Sequence, residues 1–239
     1  MQPLFNMNVV QFWLLDALVL MPHSVFTVSR PKLYRAQLAR TPHEFDKNTV
    51  GDGIVSLIES GSIEFAHSRK DTNCFDDSKE PSAVVAQALN ASNKDYREWI
   101  SNGPVIRLTQ KGGAEWEKAA LPIWSKFTSY HTPSDYLSLE ELECLHEDPG
   151  SVFCVGALNV GALESELEIN KLTNDISSPL PIKSISPYPA TYWKSFDQGF
   201  ISIYAIDSKA YDPDSPFRNS DALRRLQTLQ RSTVFGINF

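Results

Sequence analysis

Cysteine is scarce in this chain. Cys74, Cys144 and Cys154 are the only three in 239 residues, an odd number with no CxxC pair, so neither a disulfide framework nor a paired-cysteine metal knuckle is expected. Long apolar runs are also missing. The longest, residues 9–21, is interrupted by Asp16 and falls short of the about 20 apolar residues that a spanning helix needs. No lysine or arginine precedes Arg30 and no small-residue cleavage site follows the run, so it does not read as a signal peptide. These absences lead to the expectation of a cytoplasmic chain with reduced thiols and no membrane partner.

Recognised chemical motifs are missing too. There is no GxxxxGK[ST] or GxGxxG phosphate loop and no GxSxG elbow. Residues 155–162 (VGALNVGA) follow an expected strand and open an expected helix. Their glycine spacing is wrong for a phosphate cradle, however, and Glu164, Glu166 and Glu168 would repel phosphate, so a tight turn is expected. The five histidines are scattered. His146 lies close to Cys144, Glu143 and Glu147, but zinc sites normally show paired ligands, and a solvated acidic segment is the expectation. Cys154 reads as a core residue because its neighbourhood is not basic. Tyr188, Tyr192 and Trp193 read as the cap of a small β core. No catalytic residue, cofactor or metal is expected, and the chain does not read as an enzyme.

What is present is an ordinary globular composition, 42% hydrophobic and 21% charged, which excludes a disordered chain. The net charge of −7 argues against a general nucleic-acid binder. That charge is unevenly placed. Residues 1–130 carry 14 basic and 14 acidic side chains, whereas residues 131–239 carry 8 and 15, so the second part holds the whole excess, 8 − 15 = −7. Between Phe127 and Asn170 nine acidic residues meet no lysine or arginine: Asp135, Glu140, Glu141, Glu143, Glu147, Asp148, Glu164, Glu166 and Glu168. Solvated helix faces explain much of this. A surface that steers a basic partner is the functional reading, with Glu140, Glu141, Glu143, Glu147 and Asp148 as its candidate residues.

Hydrophobic spacing and turn residues suggest the order of elements. A buried helix is expected over residues 7–21, a second over 29–40 capped by Ser29, and a third over 46–60 that Gly51 and Gly53 weaken. A strand at 62–67, a polar loop to Pro81 and two short helices over 82–90 and 93–100 follow, then a strand at 105–109. Thr109 N-caps a helix expected over 110–130, bent or broken before Pro122.

Three helices, a strand, an excursion and a returning strand resemble the winged helix-turn-helix. The likeness rests on Gly61-Ser62-Ile63-Glu64-Phe65 after the third helix and on residues 106–117 (IRLTQKGGAEWE) opening the next. The latter segment, together with Ala190-Thr191-Tyr192-Trp193-Lys194 and the following Phe196-Asp197-Gln198-Gly199-Phe200, resembles an uncharacterised bacterial group with LTxxGGAxWE and ATYWK motifs. The resemblance implies a winged-helix fold and leaves its use open, since such domains bind DNA or proteins. A DNA-reading third helix usually presents Arg, Lys, Asn or Gln to base edges. Here Lys47 and Asn48 stand at its start, followed by Asp52 and Glu59. The wing offers Arg69 and Lys70 flanked by Asp71, Asp76 and Asp77.

The second part, residues 131–239, reads as a smaller α/β region. It would contain a capped helix at 138–145, a strand at 151–158, a helix at 159–173 and a hairpin of 190–196 with 199–207 about Asp197-Gln198-Gly199. A short helix at 220–230 and an apolar tail at 234–239 complete it. The fold class is α+β, with a winged-helix-like domain at 1–130. The function expected is a non-enzymatic interaction module, immunity- or antitoxin-like, that binds a basic protein. A winged-helix DNA-binding regulator, using Lys47, Asn48, Arg69 and Lys70, and an enzyme of unrecognised type are the alternatives.

Overall fold

A computed structural model describes residues 7–30, 45–66, 80–92, 94, 96–145, 151–173 and 179–206. The fold is α+β, with antiparallel sheets. The chain divides into two compact units, Met1–Leu121 and Pro122–Phe239. The division precedes the 130/131 boundary expected from the sequence, because residues 128–131 form a strand of the second unit's sheet.

In the first unit, α1 (Val9–Leu18) starts at a capping box: Asn8 Oδ1 accepts from the Gln11 amide at 2.9 Å and Gln11 Oε1 accepts from the Asn8 amide at 3.0 Å. Most of α1 is buried, Asp16 included. The strand β1 (His23–Ser24) runs into α2 (Val25–Val28), where Ser24 is the N-cap. Ser29, expected to start a helix, instead ends α2, its hydroxyl donating to the Phe26 carbonyl; residues 31–40 of the expected helix lie outside the described residues. Then come α3 (Lys47–Glu59), β2 (Ile63–Ala66), α4 (Pro81–Asn90), α5 (Tyr96–Asn102), β3 (Val105–Leu108) and α6 (Gln110–Ala120). The strands form an antiparallel sheet in the order β1-β3-β2, with His23 opposite Ile106 and Ile63 opposite Leu108.

The two glycines that lower the helix propensity of α3 serve its packing. A Cβ on Gly53 would lie 3.0 Å from Leu14 Cδ1 of α1, and one on Gly51 would lie 2.5 Å from Leu89 Cδ1 of α4. Bare backbone at these positions lets α3 lie close to a helix on each side. The C-terminal end of α4 has no glycine cap. Arg30 supplies the missing donors, giving Nη2 hydrogen bonds to the carbonyls of Leu89 (3.1 Å) and Ala91 (2.7 Å). Its guanidinium also lies 3.8 Å from the centroid of the Phe26 ring, which joins α2 to α4.

The IRLTQKGGAEWE segment is explained by one junction. Thr109 donates its amide to the Ser62 carbonyl at 3.1 Å and its hydroxyl to the Gly61 carbonyl at 2.7 Å, and it caps α6 by accepting from the Gly112 amide at 3.1 Å. A Cβ on Gly112 would sit 1.9 Å from the Ser62 carbonyl oxygen, so only glycine fits. Ser62 Oγ donates to Glu115 Oε2 at 2.6 Å. One turn on, Trp116 is fully buried and its indole N–H reaches Asp16 Oδ1 at 2.9 Å, linking helices a hundred positions apart.

The helix expected over 110–130 is broken before Pro122, as its sequence suggested, and ends at Ala120, but it does not resume beyond the break. Leu121 takes the left-handed conformation at φ 47° with its side chain 75% exposed, and Pro122 follows. A 3₁₀ turn at Trp124–Lys126 leads into β4 (Thr128–His131). After a second turn at Pro133–Asp135 come α7 (Leu139–Leu145), β5 (Val152–Ala157), α8 (Val160–Thr173), β6 (Lys183–Ile185), β7 (Tyr188–Pro189), β8 (Ser195–Phe196) and β9 (Gly199–Ala205). The main sheet is antiparallel in the order β4-β5-β9-β6. One face packs Val152, Cys154, Ile201 and Ile203 against Leu137 and Leu142; the other packs Val155, Ala157 and Tyr204 against Leu163 and Leu167 of α8. The expected hairpin of 190–196 with 199–207 is not formed. β9 pairs with β5 and β6, and β8 turns back onto β7. The competing partner won because β5 offers β9 six matched positions, Val152↔Ala205 through Ala157↔Phe200. Residues 207–239, including the expected 220–230 helix and the tail, lie outside the described residues.

Two substitutions test this account. Gly112→Ala should lower stability by more than about 2 kcal/mol, read as a fall in the urea midpoint, because backbone must move to admit the methyl group. Leu121→Gly should raise it by about 1 kcal/mol by removing the left-handed penalty at an exposed position.

Candidate functional site

The residues of the sequence-derived acidic surface separate into different roles. Glu140, Glu141 and Glu143 are on α7 and exposed; Glu147 and Asp148 lie outside the described residues. Glu141 closes a capping box: its Oε2 accepts from the Ser138 amide at 2.7 Å and hydroxyl at 2.9 Å, while its own amide donates to Ser138 Oγ at 3.3 Å. These bonds, the backbone one first, hold its carboxyl below the usual carboxylate range, and Lys183 adds a smaller attraction. Glu168 pairs with Lys171 at 2.6 Å. Glu166 is buried, 5% exposed, and accepts from the Tyr130 hydroxyl at 2.8 Å and from Thr128 Oγ1 at 3.2 Å. Asp135, Glu140 and Glu143 stay on the exposed surface of the 133–145 segment beside Leu139, which is 65% exposed.

The nucleic-acid candidates are less concentrated. Lys47 and Asn48 are exposed in the first turn of α3, and Arg69 and Lys70 lie outside the described residues. Asp46, the N-cap, accepts from the amides of Asn48 and Thr49 at 3.0 Å each. The Thr49 hydroxyl, before all other causes, lowers its pKa, so a firmly ionised carboxylate stands beside Lys47. The other exposed positions of the helix include Asp52, Ser56 and Glu59.

The sequence reading missed a polar cluster on β4. Ser129 and His131 share one face of the strand, with Ser129 opposite Gly156 and His131 opposite Cys154. Ser129 Oγ lies 2.8 Å from His131 Nε2 and 2.8 Å from the hydroxyl of fully buried Tyr188. With the ring proton on Nδ1, the hydroxyls run in one direction: Tyr188 donates to Ser129 and Ser129 to His131. The cluster fits because β5 and β9 carry glycine beneath it. A Cβ on Gly156 would meet His131 Nε2 at 2.7 Å, and one on Gly199 would meet Tyr188 Cγ at 2.3 Å. Burial lowers the His131 pKa below its ordinary 6.5, against an opposing pull from Asp135. Burial also pushes Tyr188 and Cys154 up to about 12, so both stay neutral near the ring. Tyr136, which meets the imidazole edge-on, is raised by burial as well. A hydroxyl on a neutral imidazole has the form of a nucleophile–base contact, but here the serine also anchors a core tyrosine.

On the opposite face, Tyr130 exposes its ring, 55% in all, while its hydroxyl is directed to Glu166 and accepts from Asn170 Nδ2 at 3.0 Å. Desolvation first, then the Glu166 carboxylate, raise the Tyr130 pKa, so the phenol keeps its proton and remains a donor.

The ATYWK segment forms a turn: Thr191 Oγ1 accepts from the Lys194 amide at 3.1 Å, and the Thr191 amide donates to the Lys194 carbonyl at 3.1 Å. Trp193 is buried, with its ring 6.0 Å from that of Trp124, and Tyr192 is 40% exposed. At the VGALNVGA turn, Asn159 Oδ1 accepts from the Ala162 amide at 2.8 Å, an ordinary helix cap. Cys154 is buried and Cys144 exposed; among the described residues, no group of three His, Cys, Asp or Glu side chains could hold a metal ion, and no helix is long and apolar enough to cross a membrane. Comparison of the chain with protein-family models, curated proteins and solved structures finds no match.

The lowered His131 pKa sets a pH dependence. Its folded value lies below the unfolded one, so the contribution is complete above about pH 6.5 and shrinks as the pH falls from there towards the folded value. Thermal midpoints should therefore decline between pH 7.5 and pH 5, and His131→Asn should flatten that decline. An unchanged slope in the variant would assign the decline to other groups.

Proposed function

We propose that the chain is a protein-binding module whose second unit docks a basic protein, in the manner of an immunity protein or antitoxin that neutralises its partner. One observation carries this reading: in a stretch without lysine or arginine, Asp135, Glu140 and Glu143 remain exposed beside the exposed Leu139, although Glu141, Glu166 and Glu168 are engaged in the fold. An exposed apolar side chain on a short segment rich in exposed carboxylates is a reasonable centre for an interface, and the acidic field would speed encounter with a basic surface.

The first unit we read as a winged helix used as a scaffold or protein-contact domain. The β1-β3-β2 order supports this, as does the placement of α3 directly before β2. Its use for reading DNA is weakened by Asp46, Asp52 and Glu59 along α3 and by the burial of Gly51 and Gly53 against α4 and α1.

Affinity capture from the native host, with nuclease treatment, tests the proposal. The expected result is a stoichiometric basic protein whose retention weakens with salt and falls at least about tenfold for the Glu140→Lys, Glu143→Lys double variant. Undiminished capture by that variant, or recovery of duplex DNA in place of a protein, would sink it.

A further inference from the structure

The hydrogen bonds of the Ser129–His131–Tyr188 cluster have a direction that burial fixes. Tyr188 is fully buried, and among the described residues its hydroxyl has Ser129 Oγ, 2.8 Å away, as its hydrogen-bond partner. Leaving a buried phenolic proton unshared is costly, so Tyr188 donates to Ser129. The serine proton is then directed to its other partner, His131 Nε2, also at 2.8 Å. Nε2 is therefore the lone-pair nitrogen, and the ring proton lies on Nδ1. Anchoring the tyrosine takes one lone pair of Ser129 Oγ; its proton faces a base and its second lone pair remains.

The imidazole is held for this contact. Its ring meets Tyr136 edge-on at 5.8 Å and Tyr188 at 5.7 Å, and Gly156 beneath it leaves free the space that a Cβ, 2.7 Å from Nε2, would take. Burial keeps its pKa below the ordinary 6.5, so the ring is a neutral base at neutral pH. Ser129 and His131 are both half-buried, which leaves the pair within reach of a small reactant. The Ser62–Glu115 contact of the first unit is different, since Ser62 is 1% exposed and closed off by the junction that it builds.

We propose that Ser129 is a nucleophile, with His131 as its general base, in acyl transfer from small uncharged esters. This goes beyond the protein-binding reading and does not depend on it. Ser129 Oγ attacks the ester carbonyl carbon while its proton passes to Nε2. The bond from that carbon to the alcohol oxygen breaks, and the departing oxygen takes the proton from Nε2. Water then gives a proton to Nε2 and attacks the acyl-serine; the carboxylic acid leaves and Ser129 Oγ recovers its proton. Tyr188 is a positioning residue that sets the direction of the serine hydroxyl. An uncharged reactant is favoured because the imidazole stands between tyrosine rings, and the chain from Phe127 to Asn170 offers an anion no lysine or arginine.

The test treats the full chain with an alkyl fluorophosphonate at mildly alkaline pH and locates the adduct by peptide mass spectrometry. Labelling forms a bond from Ser129 Oγ to phosphorus and expels fluoride, with the serine proton taken by His131. The expected result is one adduct per chain, on Ser129, absent when the chain is unfolded in urea and formed about a hundredfold more slowly by folded His131→Asn. Labelling should also remove the native chain's hydrolysis of p-nitrophenyl acetate, and imidazole nitrogen NMR should find the ring proton on Nδ1. The native chain alone decides the matter if the variant does not fold. Ser129 left unmodified, equal labelling in urea, ester hydrolysis that survives labelling, or a proton on Nε2 overturns the proposal. Capture of a basic protein is read separately through Glu140 and Glu143, so either proposal can fail without the other.

Discussion

The first unit depends on the close approach of the α6 N-terminus to the backbone of Ser62. The same carbonyl oxygen that accepts the Thr109 amide lies where a Gly112 side chain would be. That contact continues the β2–β3 pairing past Leu108 and aims the helix so that Trp116 enters the core one turn later. Burying an indole of this size stabilises by about 3 kcal/mol or more, provided that its N–H is satisfied. Asp16 satisfies it. The acidic residue that breaks the apolar run of α1 is thus the acceptor that the core requires. Sheet register, helix direction and core polarity follow from one junction spanning about five residues of each segment.

The second unit meets a different constraint, a sheet covered on both faces. Leu137 and Leu142 lie on one side and Leu163 and Leu167 on the other, so β5 and β9 need apolar side chains at successive positions, as their sequences show. Polar groups are placed towards the β4 edge, where Ser129, His131, Tyr130 and Glu166 find hydrogen-bond partners in one another. This makes β4 both the rim of the core and the strand with the most polar chemistry.

Much of this was legible in the residues. The α1, α3, β2, β3 and α8 segments carried their own periodicity and caps, and Thr109, Ser138 and Asn159 act at the helix starts where their residue types place them. The misreadings have physical causes. Residues 116–127 present Trp116, Ala119, Ala120, Ile123, Trp124 and Phe127 at helical spacing, so helix was expected on both sides of the break before Pro122, whereas a 3₁₀ turn and β4 follow it. Reading Tyr130 as the end of that helix hid the alternation of Thr128–His131, and with it the serine–histidine pair. The hairpin was misplaced because pairing of β9 with β5 is decided by a segment more than forty positions away. The acidic stretch was visible as composition, but burial of Glu166 and capping by Glu141 depend on tertiary and local geometry that charge counting does not contain.

Tyr188 gives the second unit a form of linked inheritance. Its ring lies where side chains from Gly156 and Gly199 would otherwise stand, so one aromatic residue occupies space denied to two strands. Enlarging either glycine evicts the ring, and shrinking the tyrosine leaves a void that the bare strands cannot fill. Each single step is a loss, although a combined exchange of all three could restore the volume. Among descendants of this chain the three positions should therefore be kept as a set or replaced as a set, and Ser129, which holds the phenol, should change with them.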